Sequence, residues 1–156
     1  MPELTELVLI NVPVARVFAR LAEPERAPEW TPNLLRAERA SQVEAGPGLE
    51  TTLLARVGGH EVRGRGRCLA WDLPRQLVLE SSLEICITSK TTFDLDEQAH
   101  GTLVVARVEY SLPPKGLGRL VGGLLGQTLA RRDLRQALRN LKSQLEAEGL
   151  ASGGVS

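Results

Sequence analysis

Hydrophobic residues recur at different spacings along the chain, and the first stretch combines a strand with short helices. Residues 3–11 are rich in Val, Ile and Leu, and Pro13 then ends any ladder because it lacks a backbone N–H. Apolar residues next recur at steps of three and four over residues 14–21, which predicts a helix. A second short helix fits between Pro24 and Trp30. One strand followed by two short helices is therefore expected.

From Asn33 onward the hydrophobic spacing changes to two and stays near two as far as Leu112. Such alternation, interrupted by turn residues such as Gly58-Gly59, is typical of an antiparallel sheet made of successive hairpins. The turn near residues 83–85 carries the weakest signal. The pattern predicts six further strands, at residues 34–43, 49–57, 60–71, 76–82, 85–95 and 102–112.

The last long stretch, residues 116–148, carries leucines at helical spacing on one face and arginine, lysine and glutamate on the other. Five glycines interrupt its first half, and each costs about 1 kcal/mol relative to alanine inside a helix. We therefore expect residues 129–145 to anchor the sheet and residues 116–128 to form a movable wall. Residues 149–156 lack periodicity and are expected to be a disordered tail.

The 156-residue length fits one domain, which we place at residues 1–148. Lys plus Arg equals Asp plus Glu at 19 each, so no global field favours nucleic acid or an anionic membrane. No apolar run approaches the roughly 18 residues of a membrane span, and the first residues are acidic, unlike a secretory signal. We expect a cytoplasmic protein without stable membrane insertion.

Cysteine and histidine residues give no sign of a metal site or a disulfide framework. Cys68 and Cys86 are not part of a CxxC motif, and we expect reduced, buried thiols. His60 and His100 lie beside turns, without a carboxylate or cysteine at metal-ligand spacing. The sequence predicts neither a metal nor a cofactor.

Residues 60–71 show the alternation most clearly, with charged residues at positions 61, 63, 65 and 67 and small or apolar ones at positions 62, 64, 66, 68 and 70. The inward Gly64 and Gly66 mark a place where the long helix or a ligand comes close to the backbone. The outward row of Arg63, Arg65 and Arg67 lies near Glu50 and Glu80, so cross-strand ion pairs on a solvated face explain it better than nucleic-acid binding.

Few large side chains point inward in the neighbouring strands, and aromatic residues make up only 3% of the chain. Either a cavity remains between sheet and helix, or the leucines of the helix fill that space. Polar inward residues need hydrogen-bond partners, which are neighbouring side chains, water or a ligand. These polar residues are Ser81, Ser89, Thr91, Tyr110 and Thr128.

Several segments resemble the START/Bet v 1-like (SRPBCC) superfamily, in particular its polyketide cyclase/dehydrase and lipid-transport family. They are NVPVARVFARLAEPERAPEWTP, GPGLETTL, WDLPRQLVLE, KTTFDL and LARRDLRQALRNLKSQLE, and the resemblance covers nearly all of residues 3–148. It implies an α+β helix-grip fold, in which a seven-stranded curved antiparallel sheet surrounds the long C-terminal helix and two short helices follow strand 1. A hydrophobic cavity would lie between sheet and helix.

Members of this family bind lipids, sterols, quinones, polyketides or plant hormones, and a minority are cyclases, aromatases or hydrolases. Cyclase members place ionisable groups deep in the pocket, whereas the inward set here offers only Tyr110, serines and threonines. A shift of strand parity near Leu83 would bring Glu80, Glu84 or Lys90 inside. The resemblance implies a ligand-binding lining of Phe18, Trp30, Leu53, Ala55, Gly64, Cys68, Leu79, Ser89, Thr91, Phe93, Ala106, Tyr110, Leu120, Leu124 and Thr128.

These observations leave three functional hypotheses. The leading one is binding, for transport or sequestration, of a small hydrophobic molecule such as a lipid, an isoprenoid quinone or a polyketide. The second is a cyclase or dehydratase that uses Tyr110 as its acid or base, and the third is a protein-interaction module, which would need the arginine row to form a one-sided patch. The sequence does not distinguish a monomer from a homodimer.

Overall fold

The computed structural model of the protein describes residues 3–40, 46–111 and 123–153, with the side chains of residues 128–149 in the last segment. The elements in chain order are β1 (Glu3–Ile10), α1 (Val14–Leu21), a 3-10 turn (Pro24–Arg26), α2 (Ala27–Trp30), β2 (Leu34–Arg39), β3 (Glu50–Val57), β4 (His60–Asp72), β5 (Gln76–Leu83), β6 (Ile87–Gln98), β7 (Gly101–Ser111) and α3 (Gly123–Gly153).

The strands form one seven-stranded sheet in the order β1-β7-β6-β5-β4-β3-β2, and every neighbouring pair is antiparallel. β1 lies at one edge of the sheet and pairs with β7, so the first and last strands are neighbours. The remaining strands follow one another as hairpins. The predicted α+β architecture is therefore confirmed, with two short helices after strand 1 and a long helix at the C-terminal end.

Several predicted boundaries differ from the structure. The strand predicted to begin at residue 85 begins at Ile87, because residues 84–86 form a tight turn in which the N–H of Cys86 donates to the carbonyl of Leu83 at 3.0 Å. Cys86 adopts a positive φ of 62°, a conformation that is uncommon for cysteine and that the sequence therefore does not predict. Strand β2 ends at Arg39, before the predicted end at residue 43, and residues 41–43 of the predicted strand lie outside the described residues.

The C-terminal helix continues to Gly153, so its predicted end at Glu148 is too early. Residues 149–153 are helical where a disordered tail was expected, and residues 154–156 lie outside the described part. Glu148 bonds to Arg20 of α1 and Gly149 lies near Val12, so tertiary contacts extend the helix past this glycine. The predicted first turns at residues 116–122 also fall outside the described segments.

The register shifts between Cys68 and Ala70, and this irregularity reverses which side chains face inward at the end of β4. Strict alternation would place Ala70 on the concave face. Instead Trp71 faces the concave side, where its ring meets that of Phe18 edge-on at a centroid distance of 5.1 Å. The alternation prediction is therefore wrong beyond Cys68.

The hydrophobic core occupies one end of the concave face, where α1, α2 and the second half of α3 meet the sheet. Leu77 and Leu141 are fully buried there, and Phe18 is 1% exposed. The buried residues of this core cluster are Ile10, Val12, Val17, Phe18, Leu21, Trp30, Leu49, Cys68, Leu77, Phe93, Leu95, Val104, Ala106, Ala137, Leu138, Leu141 and Leu145.

Polar contacts hold α3 on both of its sides. On the β1 side, Arg135 Nε donates to Glu6 Oε1 at 2.9 Å and Lys142 Nζ donates to the Leu9 carbonyl at 2.7 Å. On the α2 side, Asn140 Nδ2 donates to the Trp30 carbonyl at 3.1 Å. These contacts fix the helix over the core end of the sheet, as expected for residues 129–145.

Candidate functional site

Beyond the core, the concave face of β3 to β6 carries side chains that are only half-buried. Their inward direction follows from the strand register, in which Leu53 pairs with Gly64 and Leu79 pairs with Thr91. This part of the concave face is the candidate site. Its half-buried members include Leu53, Ala55, Gly64, Gly66, Leu79, Ser81, Leu83, Ile87, Ser89 and Thr91.

A line of polar side chains crosses the candidate site from strand to strand. Register places Thr51 opposite Gly66, Gly66 opposite Ser81, Ser81 opposite Ser89, and Ser89 opposite Tyr110. We call Thr51, Ser81, Ser89 and Tyr110 the polar row. The hydroxyl oxygens of Ser81 and Ser89 lie 2.6 Å apart and share a hydrogen bond.

The Tyr110 hydroxyl is the unusual member of the polar row. Its residue is 8% exposed, and the oxygen has no hydrogen-bond partner within the described part of the chain. A buried hydroxyl without a partner costs about 1–3 kcal/mol. The indole Nε1 of Trp30, 6% exposed, is likewise buried without a partner among the described residues. The Tyr110 hydroxyl lies in the polar row, whereas the Trp30 indole belongs to the core cluster at the adjoining end of the face.

The Tyr110→Phe substitution is expected to leave the ligand-free protein as stable as the wild type, or to raise its free energy of unfolding by about 1 kcal/mol, because it removes an unsatisfied polar atom. Urea denaturation measures this. The matched control is Thr102→Val, since the buried Thr102 hydroxyl donates to the Val12 carbonyl at 2.8 Å and its loss should cost about 1 kcal/mol. Equal destabilisation by both substitutions would show that the tyrosine hydroxyl has a partner.

The two inward glycines of β4 make room for side chains of adjacent strands. A Cβ on Gly64 would lie 2.6 Å from Leu83 Cδ2 and 2.6 Å from the Ser82 carbonyl, and a Cβ on Gly66 would meet Thr51 Oγ1. The expected close approach therefore comes from neighbouring strands, whereas the sequence pointed to the helix or a ligand. Leu83 and Thr51 join the candidate site for this reason.

A methyl group at Gly64 should destabilise the protein by about 1–3 kcal/mol, because the Ser82 backbone cannot move aside without disturbing the β4–β5 ladder. Thermal or urea unfolding of Gly64→Ala measures the cost. Adding Leu83→Ala should recover only part of it, since the carbonyl contact remains. A fully additive double variant would show that Leu83 does not lie over the glycine.

The predicted lining residues divide into three groups in the structure. Those in the packed core are Phe18, Trp30, Cys68, Phe93 and Ala106. Those on the half-buried concave face, together with the buried Tyr110, are Leu53, Ala55, Gly64, Leu79, Ser89 and Thr91. Thr128 on α3 is exposed, so its predicted inward position is wrong, and Leu120 and the side chain of Leu124 lie outside the described residues.

The Cys68 thiol is not suited to nucleophilic chemistry. Its Sγ donates to the Ala70 carbonyl at 3.4 Å, and burial raises the pKa of the thiol, so it stays protonated at neutral pH. Cys86 is exposed, contrary to the expectation that both thiols are buried. Within the described ranges, no group of His, Cys, Asp and Glu side chains has an arrangement that would hold a metal ion.

Charged residues on the concave side pair with one another. Glu6 Oε1 accepts hydrogen bonds from Arg131 at 3.1 Å and Arg135 at 2.9 Å. At the opposite edge, Arg39 Nε donates to Glu25 Oε1 at 2.8 Å. Thr51, at one end of the polar row, is the strand neighbour of Arg39, whereas Ser81, Ser89 and Tyr110 have no charged neighbour in register among the described residues.

In the outward arginine row, Arg67 lies between Glu50 and Glu80 in register, whereas Arg65 lies between Thr52 and Ser82 and Arg63 pairs with Leu54. However, in the part of the chain that the structure describes, Arg63, Arg65 and Arg67 do not form salt bridges, so the expected ion pairs are not observed. Within this row, only Arg67 has a carboxylate in register on each adjacent strand.

No helix within the described ranges is long and apolar enough to cross a membrane.

Comparisons with known proteins agree on the fold. The family model described as polyketide cyclase / dehydrase and lipid transport matches residues 1–146. No curated protein matches the chain.

Solved structures similar to this chain share little sequence with it and establish the fold alone. The protein TTHA0849 from Thermus thermophilus has a TM-score of 0.76 at 20% identity, covering 94% of this chain and 99% of that one. The di-domain ARO/CYC StfQ from the steffimycin biosynthetic pathway has a TM-score of 0.70 at 15% identity, covering 94% of this chain and 51% of that one. A START superfamily protein from Mycobacterium smegmatis has a TM-score of 0.68 at 17% identity, covering 92% and 98%.

Proposed function

Because the chain belongs to the polyketide cyclase / dehydrase and lipid transport family, we propose that it binds a small, largely apolar molecule between the sheet and α3. The molecule would lie on the half-buried concave face and be carried or sequestered there. Burial of its apolar surface would supply affinity at about 25 cal/mol per Å². Lipids, isoprenoid quinones and polyketides all have this character.

The observation that carries the proposal is the buried, unpartnered Tyr110 hydroxyl beside half-buried apolar side chains. Ligand pockets typically combine an apolar lining with a few polar groups that orient the ligand. Leu79 and Thr91 supply lining next to the polar row, and Tyr110 supplies the orienting group.

Native mass spectrometry after incubation with a lipid extract tests this proposal. We expect the protein to retain at least one small apolar molecule that organic extraction then releases. Thr91→Trp should block retention, since residue 91 lies in the middle of the concave face. Thr88→Trp, on the exposed face of the same strand, is the matched control and should retain the ligand. A wild-type protein that never retains a molecule would contradict ligand binding.

A second candidate function is a cyclase or dehydratase acting on a polyketide-like substrate in the same place. The Tyr110 phenol favours it, because a buried, unpartnered O–H can donate to a substrate carbonyl as the reaction proceeds. The similar di-domain ARO/CYC structure supports it at the level of fold. Incubation with a poly-β-ketone should then give a cyclised product, and Tyr110→Phe should slow its formation about 100-fold. If the protein binds the poly-β-ketone but leaves it unchanged, this candidate function is excluded.

A further inference from the structure

We propose that the ligand is uncharged and presents a carbonyl oxygen to the Tyr110 hydroxyl. This inference rests on the proposed binding function and names the chemical class of the ligand. It follows from the unpartnered hydroxyl of Tyr110 and from the distance in the sheet between Tyr110 and the charged residues of the concave side in the described part of the chain.

Among the described residues, Tyr110 on the concave face and Trp30 in the adjoining core have buried, unpartnered groups that can donate. The unpartnered acceptor Gln144 Oε1 belongs to a side chain that α2 holds, because its Nε2 donates to the Glu29 carbonyl at 2.7 Å. The Tyr110 O–H has no partner among the described residues, and the Trp30 indole N–H, also unpartnered there, can only donate. Ser81 and Ser89 share one hydrogen bond, which uses one of their two hydroxyl hydrogens and leaves the other free. A ligand oxygen that accepts hydrogen bonds would satisfy these groups.

The donors lie at two positions along the strand direction of the concave face. Tyr110 stands opposite Ser89, whereas the Trp30 ring meets that of Phe93 edge-on at a centroid distance of 6.3 Å. Ser89 and Phe93 are four residues apart on β6, which is about 13 Å at the rise of a strand. Half-buried Thr91 lies between the two positions. An elongated or flat apolar molecule fits this spacing, with Tyr110 at the end remote from the core.

Charge at the ligand is disfavoured because the charged groups of the concave side, among the described residues, lie away from Tyr110. Glu6, which bonds to both Arg131 and Arg135, lies opposite Ala106, four residues from Tyr110 on β7, which is about 13 Å at the rise of a strand. Arg39, which pairs with Glu25, lies on β2, at the opposite edge of the sheet. The strand neighbour of Tyr110 on β6 is the neutral Ser89. A carboxylate placed beside Tyr110 would lose its hydration without gaining an ion pair, whereas a carbonyl loses little and accepts the hydrogen bond.

Matched probes separate this inference from simple hydrophobic binding. Acetylnaphthalene, ethylnaphthalene and naphthoate, substituted at the same ring position, share one apolar body and differ in the group offered to Tyr110. We expect the ketone to bind about tenfold more tightly than the ethyl compound, and naphthoate to bind at least about tenfold more weakly than the ketone, in calorimetric or fluorescence titrations.

Tyr110→Phe should remove the preference for the ketone, lowering its affinity about tenfold while changing that of the ethyl compound less than about twofold. Ser111→Ala is the matched control, since its hydroxyl bonds to Thr88 at 2.6 Å on the exposed face of the same strands. This control should keep the preference.

The possible failures are distinguishable. If none of the three probes binds and no lipid is retained, the proposed binding function itself is wrong. If ethylnaphthalene binds as tightly as the ketone, if naphthoate binds most tightly, or if Tyr110→Phe keeps the ketone preference, the binding function stands and the carbonyl inference is overturned.

Discussion

Leu141→Ala is expected to lower the free energy of unfolding by about 3 kcal/mol, within the 2–5 kcal/mol typical of buried leucines. The Leu141 side chain is fully buried in the core beneath α3, where its neighbours Leu138 and Leu145 are each 2% exposed. These contacts fix the second half of the helix against the sheet, so the cavity left by alanine cannot collapse easily. Urea denaturation with an unchanged m-value would measure the loss.

Leu129→Ala is the matched control for this prediction. Leu129 lies on the same helix but is 47% exposed, so its truncation should change the free energy of unfolding by less than about 0.5 kcal/mol. Similar losses for both variants would mean that α3 does not pack as the structure shows. A loss confined to Leu141 would confirm that α3 closes the core end of the fold.

Most of the architecture could be predicted because the chain keeps its hydrophobic periods over long stretches. The alternation indicated the sheet, and the leucine stripe indicated the C-terminal helix. The errors arise where backbone geometry changes without a distinctive residue type, as at the shift after Cys68 and at the positive φ of Cys86. Tertiary contacts extend α3 past Gly149 against its helix propensity.

The candidate site was only partly predictable. Alternation identified Ser89 and Tyr110 as inward-facing, but the polar row exists only through cross-strand register, which no single strand specifies. Register also determines that Leu83 covers Gly64 and that Thr51 faces Gly66. The degree of burial was also not predictable, because the alternation does not distinguish a core position such as Phe93 from a half-buried position such as Thr91.

Glu148→Gln is expected to lower the free energy of unfolding by about 2 kcal/mol, because it removes the negative charge that compensates a buried cation. Arg20 is 5% exposed on α1, and its Nη2 donates to Glu148 Oε1 at 2.6 Å. The carboxylate is 42% exposed, so water screens the pair and keeps the cost below the roughly 3–5 kcal/mol of breaking a fully buried ion pair. Glu25→Gln, which loses an exposed pair with Arg39, should cost less than about 1 kcal/mol.

The Arg20–Glu148 pair also makes the free energy of unfolding depend on pH, with less stabilisation in acid. The hydrogen bond from Arg20, with the charges of Arg20 and Arg26, holds the pKa of Glu148 below its ordinary value of 4.5. A carboxyl whose pKa is lowered by folding stabilises the protein above its unfolded pKa, and this stabilisation disappears as the pH falls through the folded value. The difference in unfolding free energy between wild type and Glu148→Gln should therefore be constant near neutral pH and shrink in acid below about pH 4.5. A difference that persists undiminished in strong acid would show that the charge of Glu148 does not stabilise the contact between α1 and the end of α3.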